Sequence, residues 1–167
     1  ANVDLWSTST LRSYAGFAQA TYAITDTTRV TGGLRYTIDK REIYGQRLAA
    51  PGNALPVGSV LLARADADTF KKLTFRAALD HQFTDSALGY VSYNRGFKSG
   101  TFNLNDLSSP SVRPETLDAY EAGLKSELFD RLLRVNLAAF HYKYKDIQPV
   151  RTIPGGSQLF NAAAGKL

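Results

Sequence analysis

Two histidines, His81 and His141, are the only imidazole side chains in this 167-residue sequence. They are far apart in the chain, and by residue parity each falls on the apolar side of a predicted strand, so no shared metal or haem site is expected. The absence of cysteine excludes disulfides and thiolate ligands. No serine is arranged with a histidine and an aspartate in a catalytic pattern. We therefore expect neither an enzyme nor a bound cofactor or metal.

Two other groups of residues raise the same question about ligands. Asp4, Asp66 and Asp68 suggest calcium, but the segment from Asp66 to Asp68 lacks the further spaced oxygen ligands of a calcium loop. Gly96, Gly100 and Gly123 precede no predicted helix, so we expect them to permit backbone bends or close approach and not to bind phosphate.

Charged side chains on the polar faces of the predicted strands are the remaining binding candidates. On one interpretation they line an aqueous lumen and guide a charged solute. On the other they are solvated by lumen water or form charge pairs with a packed domain, and the residues alone leave both open. They are Arg35, Asp39, Arg76, Asp80, Glu121, Lys125 and Glu127.

Six long segments with period-2 alternation position these residues and are typical of β-strands. In the second segment, Val30, Leu34 and Tyr36 alternate with Arg29 and Arg35, which predicts a sheet that is apolar on one side only. The predicted strands run from about Ser13 to Thr25, Arg29 to Glu42, Phe70 to Phe83, Leu88 to Phe97, Thr116 to Leu128 and Leu133 to Gln148, with a seventh starting at Leu159.

The sixth predicted strand is less regular than the others. Val135 and Leu137 share one face, whereas Phe140, Tyr142 and Tyr144 fall on the other. Either a β-bulge changes the phase midway, or the aromatic side chains line an interior. Both interpretations remain open.

The connections alternate between tight polar turns and long loops. The turns are rich in Asp, Ser and Thr, whose side chains bind nearby backbone amides, and lie at 25–28, 84–87 and 129–132. The loops hold all six prolines and lie at 43–69, 98–115 and 149–158. Tight turns at one rim and long loops at the other are typical of outer-membrane β-barrels.

Strand length favours a barrel over a sandwich. About 14 residues at ~3.3 Å each span ~45 Å, and a tilt of ~40° leaves a rise of ~35 Å, more than the ~25 Å apolar band of such barrels. No stretch approaches the ~18 consecutive apolar residues of a membrane helix. Aromatic residues lie beside the tight turns, as in an interfacial girdle: Tyr22, Phe83, Tyr90 and Phe129. The predicted fold is all-β, with antiparallel up-and-down strands forming part of a large transmembrane β-barrel.

The net charge of +5 and the pI near 9.5 raise the possibility of a nucleic-acid partner. The basic residues are scattered singly and no nucleic-acid-binding module is recognisable, so no such partner is expected. The first residues, Ala1 to Asp4, lack the pattern of a signal peptide. An exported protein would therefore be expected to begin upstream of Ala1.

Several segments resemble the barrels of TonB-dependent receptors. They are Gly33–Tyr36, Tyr90–Gly100, Arg113–Leu128, Arg134–Gln148 and Phe160–Lys166. Each match is short, but together they extend over most of the chain beyond Ser13. The resemblance implies a 22-stranded barrel in the outer membrane, surrounded by its lipid and plugged by a separate N-terminal domain.

The resemblance also implies a function. Receptors of this family take up scarce solutes such as iron chelates (siderophores), cobalamin or glycans. Their energy comes from the TonB partner, which binds a periplasmic N-terminal segment. We expect residues 1–167 to be one partial barrel domain without the plug. The alternatives are a passive porin-like barrel and a soluble or surface-exposed β-sheet binding module.

Overall fold

The computed structural model describes residues 2–153 and 156–166, and the chain in this part is built from β-strands. Six strands are long and three are short. They are β1 (Val3–Ala23), β2 (Thr28–Ala49), β3 (Val60–Thr84), β4 (Ala87–Lys98), β5 (Glu115–Leu128), β6 (Leu133–Ile147), β7 (Val150–Ile153), β8 (Gly156–Leu159) and β9 (Ala162–Lys166). Within these residues no helix is long and apolar enough to span a membrane.

Seven of the strands form one antiparallel sheet in the order β1-β2-β3-β4-β5-β6-β9, and β7 pairs only with β8. Each of the first six strands lies beside its neighbour in sequence, as in an up-and-down barrel wall. This architecture confirms the predicted all-β class and the antiparallel order.

The connections have the predicted asymmetry. Tight turns join β1 to β2, β3 to β4 and β5 to β6, and they define what we call the turn end of the sheet. The third turn is unusual because Phe129, Asp130 and Arg131 have φ angles of 54°, 51° and 71°, in the left-handed region that non-glycine residues seldom adopt. The longer connections, at the opposite edge, define the loop end.

The prediction underestimated the first three strands. The predicted loop at 43–69 is mostly strand, because β2 continues to Ala49 and β3 begins at Val60. The predicted loop at 149–158 contains the β7–β8 hairpin, although Pro154 and Gly155 lie outside the described residues. The last strand of the sheet begins at Ala162, so the predicted start at Leu159 was wrong.

The register divides the sheet into an apolar and a polar face, because directly opposed residues share a face. The apolar face carries Leu34, Leu79, Val91 and Leu137 among others. Leu34 is 59% exposed and Leu137 is 62% exposed, so this face is apolar without being covered by the chain itself. An apolar surface of this extent requires an apolar environment.

The pairing of β5 with β6 decides between the two interpretations of the sixth strand. The register runs without a shift from Thr116 opposite Lys145 to Leu128 opposite Leu133. No bulge changes the phase, and Phe140, Tyr142 and Tyr144 lie on the polar face. The rings of Phe140 and Tyr142 stack with their centroids 4.9 Å apart.

Candidate functional site

All seven predicted charged residues lie on the polar face of the sheet. Asp39 is opposite Phe70, Arg76 is opposite Asn94 and Glu121 is opposite Ser92. The seven do not form one cluster, because they extend from Glu127 beside a tight turn to Asp39 midway along β2. That this face lines a lumen stays a prediction.

Two of the seven form a small cluster around a tyrosine on β4. Tyr90 Oη donates a 2.6 Å hydrogen bond to Glu121 Oε1, and Lys125 Nζ lies 5.4 Å from the centroid of the Tyr90 ring. A Cβ atom on Gly123 would be 2.4 Å from Tyr90 Cε1. Because any other residue would clash at this distance, only glycine allows the Tyr90 ring to pack over β5. Tyr90 is therefore on the polar face, and its expected place in an interfacial girdle was wrong.

Glu127 belongs to the adjoining turn. Its carboxylate is 3.1 Å from Arg131 Nε and 2.6 Å from Arg134 Nη2, and both arginine side chains are highly exposed. Exposed ion pairs of this kind contribute little free energy of folding. Glu127 is thus paired within the wall itself, and these contacts do not decide between the two interpretations.

The β4–β5 loop, residues 99–114, folds onto the polar face at the loop end. Leu107 is only 2% exposed and packs with Ile43 and Phe102 in a small hydrophobic cluster. A Cβ atom on Gly45 would lie 2.8 Å from Leu107 Cδ2. The missing side chain at position 45 therefore makes room for the leucine that holds the loop against β2.

Polar contacts fix the same loop to β1 and β3. Arg64 Nη1 donates a 2.9 Å hydrogen bond to the Leu107 carbonyl oxygen, and Ser111 Oγ donates one of 2.6 Å to Asp68 Oδ2. On β1, Ser7 Oγ donates a 2.9 Å bond to the Leu104 carbonyl oxygen. The aspartate that the sequence suggested as a weak calcium candidate is thus an anchor for the loop.

Asp106 orders the loop from within. Its carboxylate accepts a 3.1 Å hydrogen bond from the Ser108 amide and further bonds from the hydroxyls of Ser108 and Ser109. The bond from the Ser108 hydroxyl, followed by that from Ser109, lowers the pKa of Asp106 below its ordinary value of 3.8. The loop is therefore organised around an ionised carboxylate.

Buried polar groups in the half of β2 nearer the loop end have unused hydrogen-bonding capacity. Asp39 is 6% exposed, and within the described residues its Oδ1 atom has no hydrogen-bond partner. Within the same residues, the Nε atoms of Arg41 and Arg47 also have no hydrogen-bond partner. Buried polar atoms are generally satisfied by protein groups or ordered water, so we expect ordered water beside these three atoms. Asp39 was among the predicted binding candidates, whereas neither arginine was.

The residues of the strongest sequence motifs have a structural role. Arg113 Nη2 is 2.7 Å from Asp146 Oδ1, and its amide donates a 2.7 Å bond to Asn161 Oδ1. Gln148 Nε2 donates to the carbonyl oxygens of Ser99 and Arg113 at 3.0 and 2.9 Å. These bonds tie β5, β6 and β9 together at the loop end. In the part of the chain that the structure describes, no three His, Cys, Asp or Glu residues are grouped as a metal site would require.

Comparison with known proteins gives a family and a fold. A family model described as "TonB dependent receptor-like, beta-barrel" matches residues 1–167. The ferric yersiniabactin uptake receptor FyuA from Yersinia pestis is similar in structure, with a TM-score of 0.80 and 18% identity over 98% of this chain and 24% of that one.

Two further solved structures share the fold. The closed form of the ferric-catecholate import receptor Fiu from E. coli K12 has a TM-score of 0.68 and 16% identity over 92% of this chain and 24% of that one. The copper transporter OprC has a TM-score of 0.72 and 17% identity over 95% of this chain and 26% of that one. The chain thus spans about a quarter of each of these proteins.

Proposed function

Because the chain belongs to the β-barrel family of TonB-dependent receptors, we propose that it is part of the wall of a transporter that takes up a scarce solute with energy supplied through TonB. Barrels of this family are located in the outer membrane of Gram-negative bacteria. In this position the apolar face contacts lipid and the polar face lines the lumen. The turn end faces the periplasm and the loop end faces the exterior.

The β4–β5 loop against the polar face is the observation that carries the proposal. A loop that docks inside the wall reduces the opening and brings binding groups over the lumen. The loop lies on the same face as all seven charged candidates. Those seven, Arg35, Asp39, Arg76, Asp80, Glu121, Lys125 and Glu127, are the lumen-facing residues of the proposed transporter.

Among the solutes that the family takes up, a chelated metal is the class that we favour over cobalamin or a glycan. The structurally similar proteins are named for ferric yersiniabactin, ferric catecholates and copper. On the polar face of β2, Arg35 and Arg41 flank the single carboxylate of Asp39. Asp68 of β3 is opposite Arg41, so the two arginines are matched by two carboxylates, and the guanidinium groups are the positions at which an anionic chelate would bind.

The test measures uptake by cells that produce the full-length receptor. Growth on a panel of ferric chelates first identifies the solute, and the same chelate labelled with radioactive iron is then the probe. We expect binding with or without TonB and with or without a proton gradient, because capture by exterior loops needs no energy. Accumulation should disappear when either TonB or the gradient is removed.

Two results would contradict this function. Undiminished accumulation without TonB and without a gradient would instead establish a passive porin-like barrel. A receptor that fractionates as a monomer in plain buffer, without detergent, would favour the soluble binding module. If cobalamin or a glycan, supplied alongside the ferric chelates, is the only solute that supports growth, the substrate class is refuted and the transport mechanism stays in place.

A further inference from the structure

A row of aromatic side chains crosses the apolar face. Phe75 and Tyr93 have ring centroids 5.5 Å apart, Tyr93 and Tyr120 are 4.8 Å apart, and Tyr120 and His141 are 6.3 Å apart. On the other side of Phe75 the row continues through Tyr36 on β2 and Tyr14 on β1, each nearer the loop end of its strand. Because the strands of a barrel wall are tilted, residues at the same height in the membrane lie at shifted positions on successive strands. The row therefore marks one membrane interface.

Three cations lie on the apolar face just beyond this row, towards the loop end. Arg12 is directly opposite Lys40, and Lys71 is diagonal to Lys40 because it is opposite Ile38. Like charges directly opposed on a sheet destabilise it. The one acid beside them is Glu42, whose Oε1 atom is 3.2 Å from Arg12 Nη1. Three cations and one carboxylate leave this cluster with two net positive charges.

At the equivalent level of β4 and β5 the chain supplies its own anion, and Lys143 and Lys145 of β6 add further positive charge on the same face. Arg95 binds the Asp118 carboxylate with bonds of 2.6 and 2.8 Å, and Tyr93 Oη donates to the same carboxylate at 2.7 Å. Asp118 is consequently buried, with 4% exposure. Lys40 and Lys71, in contrast, make no ion pair with any residue that the structure describes. Their charge is left for a partner outside the protein.

We propose that Arg12, Lys40 and Lys71 bind the phosphate group of a membrane lipid headgroup, with the acyl chains of that lipid lying along Tyr36 and Leu73. A lipid fits better than free phosphate because the cations stand on the same face as the apolar band, directly above it. Leu73 is 51% exposed and lies between Lys71 and the aromatic row. The site therefore offers apolar contact below the phosphate and positive charge around it.

The test uses the full-length receptor purified in detergent and two probes: lipid A carrying its phosphates, and the same lipid after enzymatic removal of them. Bound lipid is counted by native mass spectrometry. The double variant K40Q/K71Q should bind phosphorylated lipid A about thirtyfold more weakly, because each lysine near an anionic lipid surface contributes ~1 kcal/mol. The K40R/K71R variant keeps the charge and should bind as the wild type does.

Lys72 provides the matched control, because it neighbours Lys71 in sequence but lies on the polar face opposite Thr37. K72Q should bind lipid A normally. Equal binding by K40Q/K71Q and the wild type, or equal binding of the dephosphorylated lipid, would overturn the proposal. So would displacement of lipid A by inorganic phosphate at comparable concentration. Heat-modifiable electrophoretic mobility shows whether each variant is assembled, and if K40Q/K71Q is not, the single variants K40Q and K71Q are compared in its place.

Discussion

Replacing Leu107 with alanine should release the β4–β5 loop without disrupting the sheet. The side chain is 2% exposed and packs with Ile43 and Phe102 against the space left by Gly45. A buried Leu→Ala replacement costs ~2–5 kcal/mol. Because this cluster is small and lies at the edge of the fold, we expect the lower value, ~2 kcal/mol. The opening equilibrium of the loop should then increase about thirtyfold.

Hydrogen exchange measured by mass spectrometry on the assembled receptor tests this magnitude. The Val112 amide donates a 2.8 Å hydrogen bond to the Thr101 carbonyl oxygen, so its exchange reports on opening of the loop. Amides of β5 should be unaffected. Leu104→Ala is the control, since that side chain lies in the same loop but is 38% exposed. Similar exchange in the Leu107 and Leu104 variants would refute the argument that the hydrophobic cluster holds the loop.

Three further predictions concern the orientation of the wall and its pH dependence. Leu79→Arg puts a charge on the apolar face at a cost of ~2–4 kcal/mol near the bilayer midplane. It should therefore reduce assembled receptor in outer membranes far more than Arg76→Leu does, and equal losses would refute the assignment of faces. A cysteine at the exposed loop position Ala54 should react with an impermeant thiol reagent on intact cells, whereas one at Asp85 should not, and the opposite labelling would invert the topology. Because the fold lowers the pKa of Asp106, loop docking should be constant above pH 3.8 and weaken as the pH falls through the lowered pKa. Exchange rates corrected for intrinsic pH dependence should show this loss in the wild type, and its persistence in Asp106→Asn would exclude the carboxylate as the cause.

Alternation of residues predicted the strands well where one face meets lipid. From Arg29 to Glu42 and from Phe70 to Phe83 an apolar residue recurs at nearly every second position, and both segments lie within strands β2 and β3. Beyond them the strands continue through Gln46, Arg47 and Arg64, where neither face needs to be uniformly apolar. The period-2 signal disappears there although the backbone pairing does not, which is why the prediction ended these strands too early.

The docking of the β4–β5 loop could not be predicted from the sequence, for a different reason. Leu107 and Gly45 are distant in the chain, and nothing in the local composition shows that one fills the space left by the other. The seven charged candidates could be assigned to a face by parity alone. Contacts between strands and with this loop decide which of them are paired, as Glu127 is, and which are buried with an oxygen that no described residue binds, as Asp39 is.

The unequal lengths of the strands make the loop end of the wall uneven. β1, β2 and β3 have 21, 22 and 25 residues, whereas β4, β5 and β6 have 12, 14 and 15. About ten extra residues correspond to ~30 Å of strand. The side of the opening formed by β1–β3 therefore extends well beyond the bilayer, whereas the adjoining side formed by β4–β6 does not. In the proposed orientation, large particles that approach the cell, such as antibodies or phage, would meet the tall side first. A small solute could enter over the shorter strands β4–β6, where the β4–β5 loop leaves the sheet and packs against the longer strands.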